Sequence, residues 1–108
     1  MDAAINKTVA KPGGEELEQE FNQLATQWYR ETRKLSSVHQ IVLHPAYQKI
    51  IGMGKDALPL ILRELKRTRG HWLWALAMIT RGDQGKPGQT FRQAVDAWLA
   101  WGHQMGYI

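Results

Sequence analysis

The residues of this chain that could do chemistry are few, and their spacing argues against most of the chemistry they could do. His39 and His44 stand five positions apart, whereas two imidazoles that share a zinc ion from one helix stand four apart, and no carboxylate lies at a matching offset. His44 precedes Pro45 and reads as a helix cap, and His71 opens an aromatic run. Ser36 and Ser37 offer hydroxyls near His39, but nucleophilic catalysis also needs a group that orients the base. Ser37-Val38-His39-Gln40 has instead the spacing of a capping box, in which the serine hydroxyl and the glutamine side chain satisfy each other's backbone amides. Glu64 with Asp56, Asp83 or Asp96 could supply a pair of carboxylates, yet these acids are scattered at ordinary density. There is no Gly-x-Ser-x-Gly, Gly-x-Gly-x-x-Gly or Walker-type loop. The chain has no cysteine, which removes disulfides, thiolate metal sites and thiol nucleophiles together. These residues predict a protein that is not an enzyme, with no metal, no cofactor and no catalytic residues.

The elements that would position any binding site are helical. Residues 1–14 end in Lys11-Pro12-Gly13-Gly14 without an apolar period and read as a flexible tail. Residues 15–108 read as a single helical domain. Leu17, Phe21, Leu24, Trp28 and Leu35 form one stripe of a helix over about 15–35. Glu15, Glu16, Glu18 and Glu20 lie in its first turns and Arg30, Arg33 and Lys34 in its last, as the helix dipole favours. A short helix over about 38–43 follows, then one from Pro45 to Met53, with proline at its first position. Gly52-Met53-Gly54 breaks the chain. Asp56 is expected to cap the next helix so that Pro59 falls in its first turn, where the missing N–H is no loss. Leu58, Ile61, Leu62 and Leu65 form its stripe and Gly70 ends it. The run His71 to Ile79 is apolar nearly all round, Arg81 to Gln89 is a polar loop, and Thr90-Phe91-Arg92-Gln93 is a second capping box before a last amphipathic helix. The fold class is therefore all-α, a compact array of four to five short helices. The unit from Pro45 to Thr80 forms a helical pair like a HEAT repeat in the centre.

Composition sharpens this. At 108 residues, 44% hydrophobic and 22% charged, the chain is of ordinary globular make-up and of a size for one core. No apolar window approaches a membrane span and no secretion signal opens the chain, so a cytoplasmic protein with no membrane partner is expected. The formal net charge is +4; residues 1–36 hold five Lys/Arg against six Asp/Glu, and residues 37–108 hold nine against four. Arg63, Lys66, Arg67 and Arg69 gather at one helix end, a basic rim that could meet phosphates through counterion release. The helix that follows is too apolar for a major groove, so the order is not a helix-turn-helix.

The five tryptophans are the least average feature. Trp28 and Trp98 fall on core stripes. Trp72 and Trp74 would lie about 200° apart on one helix, so either neighbours enclose that helix on both sides or one indole is an exposed interface anchor. Trp101 raises the same question less sharply.

Several ordered blocks carry a resemblance: Leu35-Ser36-Ser37, His44-Pro45-Ala46-Tyr47-Gln48, Ile50-Ile51-Gly52-Met53-Gly54, Pro59-Leu60-Ile61-Leu62 with Glu64-Leu65, His71-Trp72-Leu73-Trp74-Ala75-Leu76 and Trp98-Leu99-Ala100-Trp101-Gly102. Over about residues 17–107 the chain resembles a family of small, functionally uncharacterised bacterial proteins. The resemblance implies company rather than activity: such proteins stand beside a second small protein with a Tyr-Asn-Cys-Ile-Ala-Trp motif that looks like a papain-type fold. That pairing implies an antitoxin, immunity or regulatory component of a bacterial two-protein system. The family follows its Ile-Thr pair with Gly and an acidic, Pro-containing loop, and this chain departs from it at Arg81-Gly82-Asp83-Gln84-Gly85-Lys86-Pro87. The expected site is a partner-binding patch of Trp72, Trp74, Tyr47 and His71 rimmed by Arg63, Arg67 and Arg69. The expected partner is a protein, with nucleic acid as the alternative.

Overall fold

The computed structural model describes residues 14–108, and the expected flexible tail over 1–14 lies outside them except for Gly14, which opens the first helix. Helix α1 (Gly14–Thr32) carries Glu15 and Glu16 in its first turn and Arg30 in its last, each charge placed where the helix dipole stabilises it. It buries Phe21, Ala25, Trp28 and Thr32. The expected stripe straddles that face, so Leu17 and Leu24 are half-buried. The helix stops three residues before its expected end, and Leu35 lies beyond it, 38% exposed. At the stop, Thr32 Oγ1 donates to the Trp28 carbonyl at 2.6 Å, a bond to its own backbone of the kind threonine makes at helix ends.

Two short helices follow. Ser37 caps α2 (Val38–Val42) by accepting from the Gln40 amide. His44 caps α3 (Pro45–Gly52), its Nδ1 accepting from the Ala46 N–H at 3.0 Å. The His44 Nε2 lies 2.7 Å from Glu31 Oε1, so the neutral tautomer that accepts at Nδ1 donates to the carboxylate from Nε2. Gly54, at φ 76°, makes the break after α3 in the left-handed region that glycine enters at least cost.

A 3-10 turn (Gly54–Ala57) then runs directly into α4 (Leu58–Thr68). The expected Asp56 cap is absent: Ala57 takes the cap position with no side-chain hydrogen bond, and the chain there keeps right-handed backbone angles. A capping side chain needs an extended cap residue, which a 3-10 turn continuing into a helix does not supply. Pro59 does fall in the first turn. Helices α5 (Leu73–Thr80) and α6 (Phe91–Gln104) complete the described fold, and Thr90 with Gln93 forms the full reciprocal capping box.

Both α4 and α5 end in Thr-Arg-Gly. Thr68 and Thr80 each bond back to the carbonyl four residues earlier, and Arg69 and Arg81 then turn left-handed at φ 51° and 59°. The arginine, rather than the glycine after it, takes the left-handed position.

Among the described residues the structure is six α-helices and one 3-10 turn, with no strand. The count is six rather than the four to five expected, and the short α2 falls where a short helix over about 38–43 is expected. Helix α1 packs on α3, α3 on α5, and α4 on both α5 and α6. At the α4–α6 contact a Cβ on Gly102 would stand 2.8 Å from Leu62 Cδ1. No helix among the described residues is long and apolar enough to cross a membrane.

Candidate functional site

Beneath the candidate surface lies a cluster of aromatic residues whose polar tips are all paired. Trp28, Tyr47 and Trp72 are buried and mutually in contact, with ring centroids 4.7 Å apart for Trp28 and Trp72, and with Tyr47 stacked on Trp72 at 5.7 Å. Each polar tip ties one element to another. The Trp28 indole donates to the Ile41 carbonyl at 2.7 Å, holding α2 against α1. The Trp72 indole donates to the Tyr29 hydroxyl at 3.1 Å, and that hydroxyl donates to Glu64 Oε1 at 2.7 Å, linking the start of α5 through α1 to α4. Arg67 closes the chain with two bonds to the Glu64 carboxylate, at 2.8 and 3.0 Å.

Tyr47 holds the start of α5. Its hydroxyl donates to the His71 carbonyl and accepts from the Ala75 N–H, both at 2.9 Å. Trp72, the residue at the cap of α5, offers no side-chain bond to the helix amides. A tyrosine reaching over from α3 thus satisfies an orphan donor in the first turn of α5. Burial drives the Tyr47 phenol far above its ordinary pKa, so it keeps the proton it donates. Burial also raises Tyr29, with its bond to Glu64 adding to the effect. The bonds from Arg67 hold the Glu64 carboxyl below its usual range, against the opposing effect of burial.

The two adjacent tryptophans separate at this point. Trp72 is 0% exposed and Trp74 is 50% exposed. Trp72 precedes α5 rather than lying on it, so the helical angle between the two indoles does not apply. Of the expected patch, Trp72 and Tyr47 are therefore interior residues that hold the surface from below and present nothing to a partner. Trp74 and His71 are on the surface. Beside them stand Val38, Met78 and Phe91, 54%, 52% and 48% exposed, and the His71 and Phe91 rings are 6.1 Å apart. Sequence reasoning missed Val38, Met78 and Phe91 as surface residues: the helix over 38–43 is too short to show a stripe, the run to Ile79 is apolar nearly all round, and Phe91 opens an amphipathic helix whose apolar side reads as core. The spacing of Met78 four residues after Trp74 was the available signal.

The basic rim also changes character. Arg63 pairs with Glu18, Arg67 with Glu64 and Arg69 with Asp96, while Lys66 forms no ion pair among the described residues. Arg69 also reaches the Arg92 carbonyl at 3.4 Å, joining the end of α4 to α6. These three arginines are intramolecular ties rather than a free basic edge. Glu64 and Asp96 are each held by an arginine. No three metal-ligating side chains gather among the described residues. Trp98 is buried as expected, and Trp101 packs edge-on against it at 5.3 Å, half-buried beside Tyr107.

Compared with protein-family models, curated proteins and solved structures, the chain matches none. The family resemblance therefore rests on the sequence blocks alone.

Proposed function

We propose that this protein is a non-enzymatic protein-binding module that acts through the surface around Trp74. One observation carries the reading: a half-exposed tryptophan lines one cleft with Val38 and Phe91, both about half exposed, with Met78 one helical turn along α5, and α2 and the start of α5 are pinned from below by buried hydrogen-bonded aromatics. Interfaces draw their strongest contacts from aromatic anchors of this kind, presented rigidly so that little conformational freedom is lost on binding. Within this reading the module is the antitoxin, immunity or regulatory half of a bacterial two-protein system, and its partner is encoded beside it. Such a module would work in the cytoplasm. The unit from Pro45 to Thr80 serves as a HEAT-like pair, a reading supported by the packing of α5 on both α3 and α4.

Nucleic-acid binding through Arg63, Lys66, Arg67 and Arg69 ranks second, because three of the four already face carboxylates. Co-expression with the neighbouring gene product, followed by size-exclusion chromatography, tests the first reading. A stable complex that Trp74→Ala dissolves is the expected result. No complex, or one indifferent to that substitution, overturns it.

A further inference from the structure

Three clefts share walls across this surface. The first, about 580 Å³, lies between Trp28, Tyr29 and Ile41, with Arg30, Arg33 and His71 at its edge. The second, about 240 Å³, is apolar: Val38, Val42, Leu73, Trp74 and Phe91 line it together with His71. The third, about 460 Å³, runs from Leu73, Trp74 and Ala77 to the loop residues Lys86 and Pro87. His71 belongs to the first and second, and Leu73 and Trp74 to the second and third. They form one track, with an apolar middle narrower than a typical small-molecule pocket of roughly 300–1,000 Å³ and of a size for side chains.

The charges on the track are ordered. Arg30 and Arg33 line one end, with no carboxylate beside them in that cleft. Lys86 lines the other end with Asp83, whose carboxylate already accepts from the Gly85 N–H at 2.9 Å. Between the ends His71 is the sole titratable group.

Resting on the protein-binding reading above, we propose that this track receives a segment of a protein partner with an apolar centre and carboxylates on the flank that meets Arg30 and Arg33. The middle takes the apolar side chains against Trp74 and Phe91, and the cationic end selects the flanking acids and sets direction; at the other end Asp83 offsets the charge of Lys86. A second copy of this chain is a poor occupant, since a two-fold pairing about the apolar middle leaves the three cations of each track with Asp83 as their one facing carboxylate. A nucleic-acid strand is a poor one too. Its phosphates are continuous, whereas no Lys or Arg lines the middle.

The test is selection of a random peptide library displayed on phage against the immobilised full chain. The enriched peptides are then synthesised and titrated by fluorescence anisotropy, with a labelled oligothymidine alongside. The expected peptides have Leu, Met or an aromatic residue followed or preceded on one side by Asp or Glu. Their affinity should fall with added salt and vanish when the acids are replaced by Lys. Arg30→Gln with Arg33→Gln should weaken them about 2- to 20-fold, the range of two exposed ion pairs, and Lys86→Gln by less than about 2-fold, because Asp83 stands beside it. Trp74→Ala should weaken them by about 10-fold or more, as an anchor residue does. All four positions are exposed, and circular dichroism checks that each variant is folded. Enriched peptides that are neutral or basic, yet lost on Trp74→Ala, would overturn the acidic partner and leave the binding module standing. No enrichment, or enrichment indifferent to Trp74→Ala, would overturn the track, and the co-expression test then decides the binding module by itself; binding of oligothymidine alone would overturn both.

Discussion

Replacing Trp72 and replacing Trp74, two positions apart, should have opposite consequences for stability and binding. Trp72 is fully buried and gives its indole N–H to Tyr29. Trp72→Ala therefore opens a cavity in a close-packed aromatic cluster, a change that costs about 3–5 kcal/mol. Trp74 is half exposed, so its truncation forfeits burial of roughly 100 Å² of apolar area at about 25 cal/mol per Å², with no closed cavity and a small gain in helix propensity. The net cost is about 1–2 kcal/mol. For a domain near 100 residues each kcal/mol moves Tm by about 4–8 °C. Thermal melts followed by circular dichroism should thus place Trp74→Ala about 4–16 °C below wild type and Trp72→Ala about 12–40 °C below it. Because a small domain holds only about 5–15 kcal/mol in total, Trp72→Phe serves as the milder probe where the alanine variant does not fold. Acrylamide quenching gives an independent reading: Trp74→Ala removes the most accessible part of the emission and Trp72→Phe leaves it. Equal destabilisation by the two alanines, or quenching unchanged in Trp74→Ala, would refute the assignment of one indole to the core and the other to the surface.

Four further outcomes follow from the same geometry. Gly102→Ala should lose about 1–3 kcal/mol to overpacking against the fully buried Leu62, partly offset by about 1 kcal/mol of helix propensity, whereas Gly52→Ala, where a Cβ meets nothing within 4 Å, should not destabilise; urea midpoints compare them. Arg81→Gly should stabilise by about 1 kcal/mol by relieving a left-handed φ, and Arg69→Gly by less, because it also removes the ion pair with Asp96; paired thermal melts read the difference. Glu64 has a folded pKa below its ordinary value of 4.5, so its stabilisation is present above that pH and is lost as pH falls through the folded value; Glu64→Gln should flatten the stability profile below about pH 4.5. Tyr47→Phe leaves the Ala75 N–H and the His71 carbonyl without their partner and should cost about 1–3 kcal/mol, and it should also speed hydrogen exchange at the start of α5.

Local signals were legible in the sequence and tertiary ones were not. The Thr90 and Ser37 caps, the His44 cap, Pro59 in a first turn and the part of the α1 stripe at Phe21 and Trp28 all depend on residues within a few positions of each other, and the structure has each of them, whereas Leu35 falls outside the helix. The Asp56 cap failed because the decisive fact was a 3-10 turn continuing straight into α4, and nothing in Gly-Lys-Asp-Ala distinguishes that from a capped start. Trp72 and Trp74 could not be told apart because their difference depends on the first residue of α5. Tyr47 and Tyr29 fix that start through hydrogen bonds 28 and 43 residues distant in sequence.

The arginines show how a correct count of charge can still point to the wrong place. The excess of positive charge in residues 37–108 suggested a rim at Arg63, Arg67 and Arg69, but each of these meets a carboxylate contributed by α1, α4 or α6. Pairing of this kind is invisible to a count, since Glu18 and Asp96 lie 45 and 27 residues from their partners. The cations that line the surface clefts are instead Arg30 and Arg33, in the first third of the chain, where charges nearly balance, together with Lys86 in the loop. Arg30 stands in the last turn of α1 and Arg33 just beyond it, where positive charge complements the helix dipole. That stabilising role accounts for their presence in the sequence. Their position beside Trp28 and His71 is a consequence of α1 packing on α3, and it gives the apolar track a cationic end that the sequence assigned to helix stability alone.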